Sequence, residues 1–121
     1  MKRRGHSRAQ ALVEFALLLP VQLMLLLGAF TVYQVLSVRE DLKRAASEGA
    51  IAGASQASQP NRCPIAIAAG TEVFGHTPNA SGCTTTSQVV ELSFGYDVPI
   101  AIPFFPANHW TVDVSERAEI R

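Results

Sequence analysis

Glu14 is the only formally charged residue in a long apolar run that extends from Gln10 to Val38. At about 1.5 Å per residue, the run forms a helix somewhat over 40 Å long, enough to cross a hydrocarbon core about 30 Å thick. An acid at the centre of such a span costs roughly 2.5–3.5 kcal/mol on the insertion scale, so a charge there is by default a functional residue. The sequence therefore predicts a transmembrane helix over residues 10–38 that carries one functional carboxylate.

A basic segment precedes this run, because residues 1–9 contain Lys2, Arg3, Arg4 and Arg8 and no acid. Basic residues next to a span stay in the cytoplasm, so the N-terminus should be cytoplasmic and the C-terminal part should cross the membrane. A secretory signal peptide also begins with basic residues, but its apolar core is only about 7–15 residues long. The run here is far longer and contains Pro20, which favours a membrane span with a bend near the proline.

The residues from Ala9 to Pro20 read AQALVEFALLLP. They resemble the N-terminus of TadE-like (TadE/TadG) proteins, which are minor pilins or pseudopilins of the bacterial tight-adherence, Flp-type pilus system. In prepilins of the type IV class generally, a short basic leader ends in a small residue, usually Gly, and the fifth residue of the mature chain is Glu. The resemblance implies that residues 1–9 are a leader, that the scissile bond joins Ala9 to Gln10, and that Glu14 is the fifth-position acid.

The same resemblance implies a structural protein of the bacterial inner membrane. Such a protein is trimmed by a prepilin peptidase and is then incorporated into a tight-adherence pilus or initiates its assembly. Its partners would be other pilin subunits, the peptidase, the inner-membrane assembly platform and the lipid bilayer. An alternative keeps the topology but not the assembly: an uncleaved, membrane-anchored envelope protein whose outer domain binds a partner or ligand.

Two further classes of protein receive less support from the residues. The sequence contains no Gly-rich phosphate loop, nucleophile elbow or HExxH motif, so we expect no enzyme, no catalytic residue and no cofactor. Removal of the leader would leave six basic and ten acidic residues, a formal charge of −4. A mildly acidic outer part disfavours binding to nucleic acid.

The predicted chemistry of Glu14 is ion pairing that fixes the register between subunits. Leader removal would create an α-ammonium group on Gln10, four residues before Glu14 on one helix face. In a medium of low dielectric, an unpaired carboxylate is costly and a paired one much less so. The alternative is an unpaired acid that extends toward the membrane interface.

The helix should continue out of the membrane as an amphipathic extension over residues 39–59. A narrow stripe of mostly small residues recurs there at helical spacing and permits close packing; its members are Val38, Leu42, Ala45, Ala46, Gly49, Ala52 and Gly53. Either the domain's own sheet or a neighbouring pilin helix could cover this stripe, and we favour the sheet. Outside the stripe, Glu40 and Arg44 are predicted to form an i,i+4 ion pair.

Residues 60–121 are predicted to form a small extracytoplasmic domain. The polar segment SQASQPNR ends the long helix, a short helix follows with Pro64 in its first turn, and HTPNASGC is a loop. Cys63 and Cys83 are the only two cysteines and should form one disulfide in an oxidising compartment. A zinc site that includes His76 and His109 is the alternative, but the spacing matches no metal motif, so we expect no metal.

Two late strands give the clearest β signal in the chain. Every second residue is apolar over Val90–Val98, and the pattern recurs with Trp110, Val112, Val114, Ala118 and Ile120. Two strands alone are marginal, so the helix after Val38 should cover their apolar face. The predicted fold class is thus α+β and pilin-like: a long N-terminal helix packed on a small antiparallel sheet.

Three prolines lie between these strands and exclude a central strand there. The apolar side chains of this loop either cap the core or form an exposed patch that docks on another pilin or on a platform protein; they are Ile100, Ile102, Phe104 and Phe105.

Overall fold

The computed structural model describes residues 4–100, 106 and 108–120, with side chains from residue 9 onward. Two helices precede three strands in chain order: α1 (Arg4–Ala54), α2 (Gln59–Phe74), β1 (Ala80–Thr85), β2 (Val89–Pro99) and β3 (His109–Glu119). The strands form one antiparallel sheet in the order β1-β2-β3. This architecture confirms the predicted α+β fold, in which one long helix continues into a small domain.

The second half of α1 packs on the rest of its own domain. Leu42, Ala45, Ala46 and Ala50 are completely buried. They form one hydrophobic core with residues of α2, β2 and β3. The stripe of small residues is therefore covered by the domain itself, as favoured above, although α2 shares that role with the sheet.

Gly49 shows why this stripe must consist of small residues. A Cβ atom on Gly49 would lie 2.6 Å from the Ala66 carbonyl oxygen, 2.6 Å from Leu92 Cδ2 and 3.0 Å from the Gly70 Cα. Two of those three atoms belong to the α2 backbone, which cannot move aside as a flexible side chain could. The missing side chain thus sets how closely α1 and α2 approach each other.

The central strand supplies the largest core side chains, and its alternation is as predicted. Val90, Leu92 and Phe94 are at most 2% exposed, and Val98 is buried at the far end of the same face. From β3, Val112 completes this layer. Trp110 follows the same alternation in sequence, yet it is 57% exposed, although Val98, its pairing partner on β2, is buried.

The prediction of a loop over HTPNASGC is wrong in its second half, because Ala80–Cys83 belongs to β1. Within that strand, Ala80 pairs with Gly95 and Cys83 pairs with Leu92. The strand is short, has mostly small side chains and is exposed along most of its length. Backbone hydrogen bonds to β2, rather than burial of an apolar face, define such an edge strand, so it carries no alternating pattern.

The boundary between the helices also differs from the prediction. α1 ends at Ala54, five residues before the predicted end of its extension, and α2 begins at Gln59 with Pro60 in its first turn. Pro60 fits there because the first amides of a helix have no intrahelical acceptor. The earlier start also places Arg62 on a buried turn, where its Nε donates to the Gln56 carbonyl oxygen at 2.9 Å.

Arg44 forms an ion pair with Glu48 rather than the predicted one with Glu40. The distance from Arg44 Nε to Glu48 Oε1 is 2.9 Å, and this contact raises the pKa of the Arg44 guanidinium. Both side chains are exposed, so the pair contributes little to stability. Glu40 and Glu48 lie one helical turn before and one helical turn after Arg44. The Arg44 Nε–H group donates to only one of these two carboxylates.

The loop between β2 and β3 is described only in part. Ile100 is buried, and its amide donates to the Asn108 carbonyl oxygen at 2.9 Å. Ile100 therefore caps the core. Ile102, Phe104 and Phe105 lie outside the described residues.

Cys63 and Cys83 form the predicted disulfide, with their Cα atoms 5.7 Å apart. The bond joins α2 to β1, the edge strand with the least apolar burial. Because β1 contributes little to the core, the covalent bond is a principal tie between this edge and the helical layer.

We expect Gly49→Ala to lower the free energy of unfolding of the domain by about 1–3 kcal/mol, because the new methyl group would force two backbones apart. Thermal unfolding of the detergent-solubilised full chain should shift down by about 4–8 °C per kcal/mol. Gly28→Ala is the matched control, since in the part of the chain that the structure describes no atom of another segment lies within 4 Å of a Cβ atom at that position. Equal melting temperatures for the two variants would contradict the close contact.

Cys63→Ser should cost roughly 3 kcal/mol of stability in the chain-entropy model, because the bond closes a loop between residues 20 apart. Thermal unfolding under oxidising conditions measures this loss. Treatment with a thiol reductant should lower the melting temperature of the wild-type chain to that of the variant and leave the variant unchanged. If the variant and the oxidised wild-type chain had the same melting temperature, the bond would not stabilise the domain.

Candidate functional site on the N-terminal helix

The first half of α1 presents an apolar surface that nothing in the described part of the chain covers. The helix is long and apolar enough to cross a membrane, and none of its most apolar window is buried within the chain. Large apolar side chains point outward on all sides of the helix, and they include Leu12, Phe15, Leu18, Met24, Leu26 and Phe30. Contiguous exposed apolar surface on this scale marks contact with a membrane or with other proteins.

The three residues predicted to be functional lie together at one end of this surface. Ala9 and Gln10 are exposed in the early turns of α1, and Glu14 is exposed one turn further along. The Gln10 Nε2 atom donates to Glu14 Oε1 at 3.4 Å. The carboxylate thus points back toward residue 10, which is the residue that the predicted cleavage would make the mature N-terminus.

Several uncharged residues also interrupt the apolar surface, among them Gln22 and Gln34. Pro20 lies inside α1 without ending it, and its missing N–H leaves the Ala16 carbonyl oxygen without the usual helical donor. Thr31 donates its hydroxyl proton to the Leu27 carbonyl oxygen at 2.9 Å, so its polar group is satisfied within the helix. Glu14 is the one formally charged residue of the apolar run, and of its two carboxylate oxygens only Oε1 accepts a hydrogen bond from the described residues.

The two histidines of the outer domain, His76 and His109, each contact residues close to them in sequence. His76 Nδ1 lies 3.3 Å from the Phe74 carbonyl oxygen, and its ring packs beside Phe74 and Tyr96. His109 Nδ1 lies 2.9 Å from Asn108 Oδ1. Within the ranges that the structure covers, no group of three or more His, Cys, Asp or Glu side chains could hold a metal ion.

The structure also forms a groove that the sequence patterns did not reveal. It lies between α1 and the end of the sheet, from Gly28 to Arg39 on the helix side and around Ile100 and Trp110 on the sheet side. The signal that could have located it is Trp110, a large aromatic residue at the start of a strand whose neighbours alternate regularly.

The long helix and its exposed apolar half fit a single-pass membrane anchor that carries a small α+β domain. Residues 9–50 match the family model described as TadE-like protein, and this match confirms the resemblance of the N-terminal region to that family. The matched segment begins at Ala9, next to the predicted scissile bond, and ends where α1 is packed on its domain. No curated protein and no solved structure matches the chain.

Proposed function

We propose that this protein is a minor pilin, or pseudopilin, of a tight-adherence pilus. It is inserted in the bacterial inner membrane with its N-terminus in the cytoplasm, and a prepilin peptidase cleaves it between Ala9 and Gln10. The observation that carries the proposal is the position of Glu14 on an uncovered apolar helix, directed toward residue 10, within the TadE-like segment. Its function is structural, and it has no catalytic role.

The geometry of Gln10 and Glu14 explains how a carboxylate is tolerated in the membrane. Cleavage after Ala9 creates an α-ammonium group on the residue whose side chain already contacts Glu14. The pair can close within one helix or between the terminus of one subunit and the carboxylate of the next. In both cases, a charge that would be costly alone in hydrocarbon gains an opposite charge.

The uncovered apolar surface of α1 contacts first the membrane and then other pilin subunits. In the membrane, lipid tails cover it, and in the pilus, the same surface packs against the helices of other pilin subunits. Because apolar packing is weakly directional, it does not fix how far one helix slides along another. A charge pair at Glu14 is directional and supplies that register.

The small outer domain remains outside the helical bundle and is available for contacts with other pilins or with the assembly platform. Its disulfide suits an oxidising extracytoplasmic compartment. The orientation that the basic residues of the leader favour places the domain there.

One observation favours a second candidate, an uncleaved membrane-anchored envelope protein with the same topology. Ala9 occupies the position before the scissile bond at which Gly is usual in the prepilin pattern. Without cleavage no ammonium forms on Gln10, so Glu14 has only the Gln10 amide as a neighbour. The two candidates therefore predict different effects on pilus incorporation when the charge of Glu14 is removed.

Glu14→Gln should leave membrane insertion intact and reduce incorporation into pili about tenfold or more, since a lost charge pair worth 1.4 kcal/mol already gives a factor of ten. Glutamine keeps the size of the side chain and can still bond to Gln10, so only the charge is removed. Glu40→Gln is the matched control, because it removes an exposed charge from the same helix outside the apolar run.

The measurement is the ratio of the chain in sheared pili to the chain in washed membranes. Carbonate extraction of the membranes verifies insertion of each variant. Equal incorporation of Glu14→Gln and Glu40→Gln would contradict the register role and favour the uncleaved envelope protein.

A further inference from the structure

A groove of about 460 Å³ lies where α1 leaves the predicted span and meets the domain. Its helix wall includes Gly28, Val32 and Leu36, and its sheet wall includes Ile100 and Trp110. Among the described residues, no atom outside the adjacent helix backbone lies within 4 Å of the position that a Cβ atom on Gly28 would take. The glycine thus leaves an open space along an otherwise apolar wall.

The depth of this groove coincides with a membrane interface. About 20 helical residues cross the hydrocarbon core, so a span that begins near Gln10 leaves the core near Phe30. From Gly28 to Arg39 the helix rises about 16 Å, which takes the groove from the hydrocarbon into the headgroup layer. Its apolar helix wall is continuous with the surface that lipid must cover along the rest of the span.

Two aromatic residues support this depth. Tyr33 is 68% exposed on α1, and Trp110 is 57% exposed on the wall of the groove. Tyrosine and tryptophan are enriched at membrane–water interfaces, where an apolar ring and a polar tip are both satisfied. A position at the interface therefore explains why Trp110 lies outside the core although its strand alternation matches that of Val112.

The groove also has a charged end. Arg39 lines it at the end furthest from the hydrocarbon and belongs to neither of the two ion pairs within the described ranges. Asp113 also lines the groove, and its carboxylate lies beside Gly95 of the neighbouring strand. A guanidinium presents a planar set of donors that matches a phosphate group. A mostly apolar channel with a guanidinium at one end has the polarity of a phospholipid, with an acyl chain at one end and a phosphate at the other.

We propose that this groove binds one phospholipid from the membrane leaflet nearer the domain. One acyl chain lies along Gly28, Val32 and Trp110, and the phosphate lies beside Arg39. The site holds the domain at a fixed height and tilt on the membrane before assembly. This inference rests on the membrane-spanning part of the proposed function, but not on cleavage or pilus assembly.

The single tryptophan makes the site directly measurable. The full chain is placed in phosphatidylethanolamine–phosphatidylglycerol vesicles at a high lipid-to-protein ratio, with bromine atoms at a shallow or a deep position of the acyl chains. We expect shallow bromines to quench Trp110 fluorescence more strongly than deep ones and iodide in the buffer to quench it weakly. Strong quenching by iodide and none by brominated lipid would overturn the proposal.

Retention of lipid distinguishes a bound molecule from the surrounding bilayer. In native mass spectra from mild detergent, the wild-type chain should keep one phospholipid, and Gly28→Leu and Arg39→Gln should each lower the lipid-bound fraction about threefold or more. Ala16→Leu enlarges another small residue of the same helix, and Arg44→Gln removes another guanidinium; both positions are exposed and lie outside the groove, so these variants are the controls. Equal retention by all five chains would overturn the proposal.

Two other outcomes have distinct meanings. A chain that alkaline carbonate extracts from the vesicles fails as a membrane protein, which overturns the proposed function together with the lipid site. In the other outcome, the chain inserts, but quenching of Trp110 fluorescence by brominated lipid falls as the protein density rises. That result would mean that a second copy of the chain occupies the groove, which overturns the lipid site alone.

Discussion

The apolar surface on the first half of α1 has no cover within the described chain, and the rest of the structure depends on that fact. Water cannot solvate such a surface without a large free-energy cost, so a bilayer or other apolar helices must cover it. A single helix satisfies nearly all of its own backbone hydrogen bonds, which allows it to pass from lipid to a bundle of helices without rearrangement. In the function that we propose, one charged group, Glu14, makes the contacts of this apolar surface specific.

The second half of the same helix solves a different problem, which is to attach a small domain firmly. Its stripe of alanines and glycines lets α2 approach closely at Gly49, and Phe94 and Leu92 of the sheet complete the core. A domain of this size buries little apolar surface, so the bond between Cys63 and Cys83 adds covalent support at the edge where packing is thinnest. Rigid attachment matters because the helix and domain must move as one unit if the register at Glu14 is to position the outer surface.

Periodicity in the sequence predicted the elements that bury one apolar face. Those are the second half of α1, with its stripe, and the strands β2 and β3. The span was predicted instead from the length of the apolar run. The same reasoning identified Glu14 as the residue that needs a partner, because a charge in an apolar run is conspicuous without any tertiary information. The disulfide also followed, since the chain has only two cysteines and the predicted topology places both outside.

What sequence reasoning missed depends on contacts between distant segments. β1 has small polar side chains and exists because of its backbone pairing with β2, so no alternation marks it. The polar segment SQASQPNR is predicted to end the long helix, but its second half, which includes Pro60, forms the first turn of α2. The groove joins Gly28 and Arg39 to Trp110, and no local pattern indicates that residues so far apart in sequence form one site.

The central claim is that the chain becomes a pilin by losing its basic leader, because only then does Glu14 gain a charged partner at residue 10. The most direct test is the intact mass and N-terminal sequence of the protein recovered from native membranes, with and without the prepilin peptidase. We expect a mature chain that starts at Gln10 when the peptidase is present and the full-length chain when it is absent. A chain that starts at Met1 under both conditions would contradict the claim and leave an uncleaved membrane-anchored envelope protein as the better description.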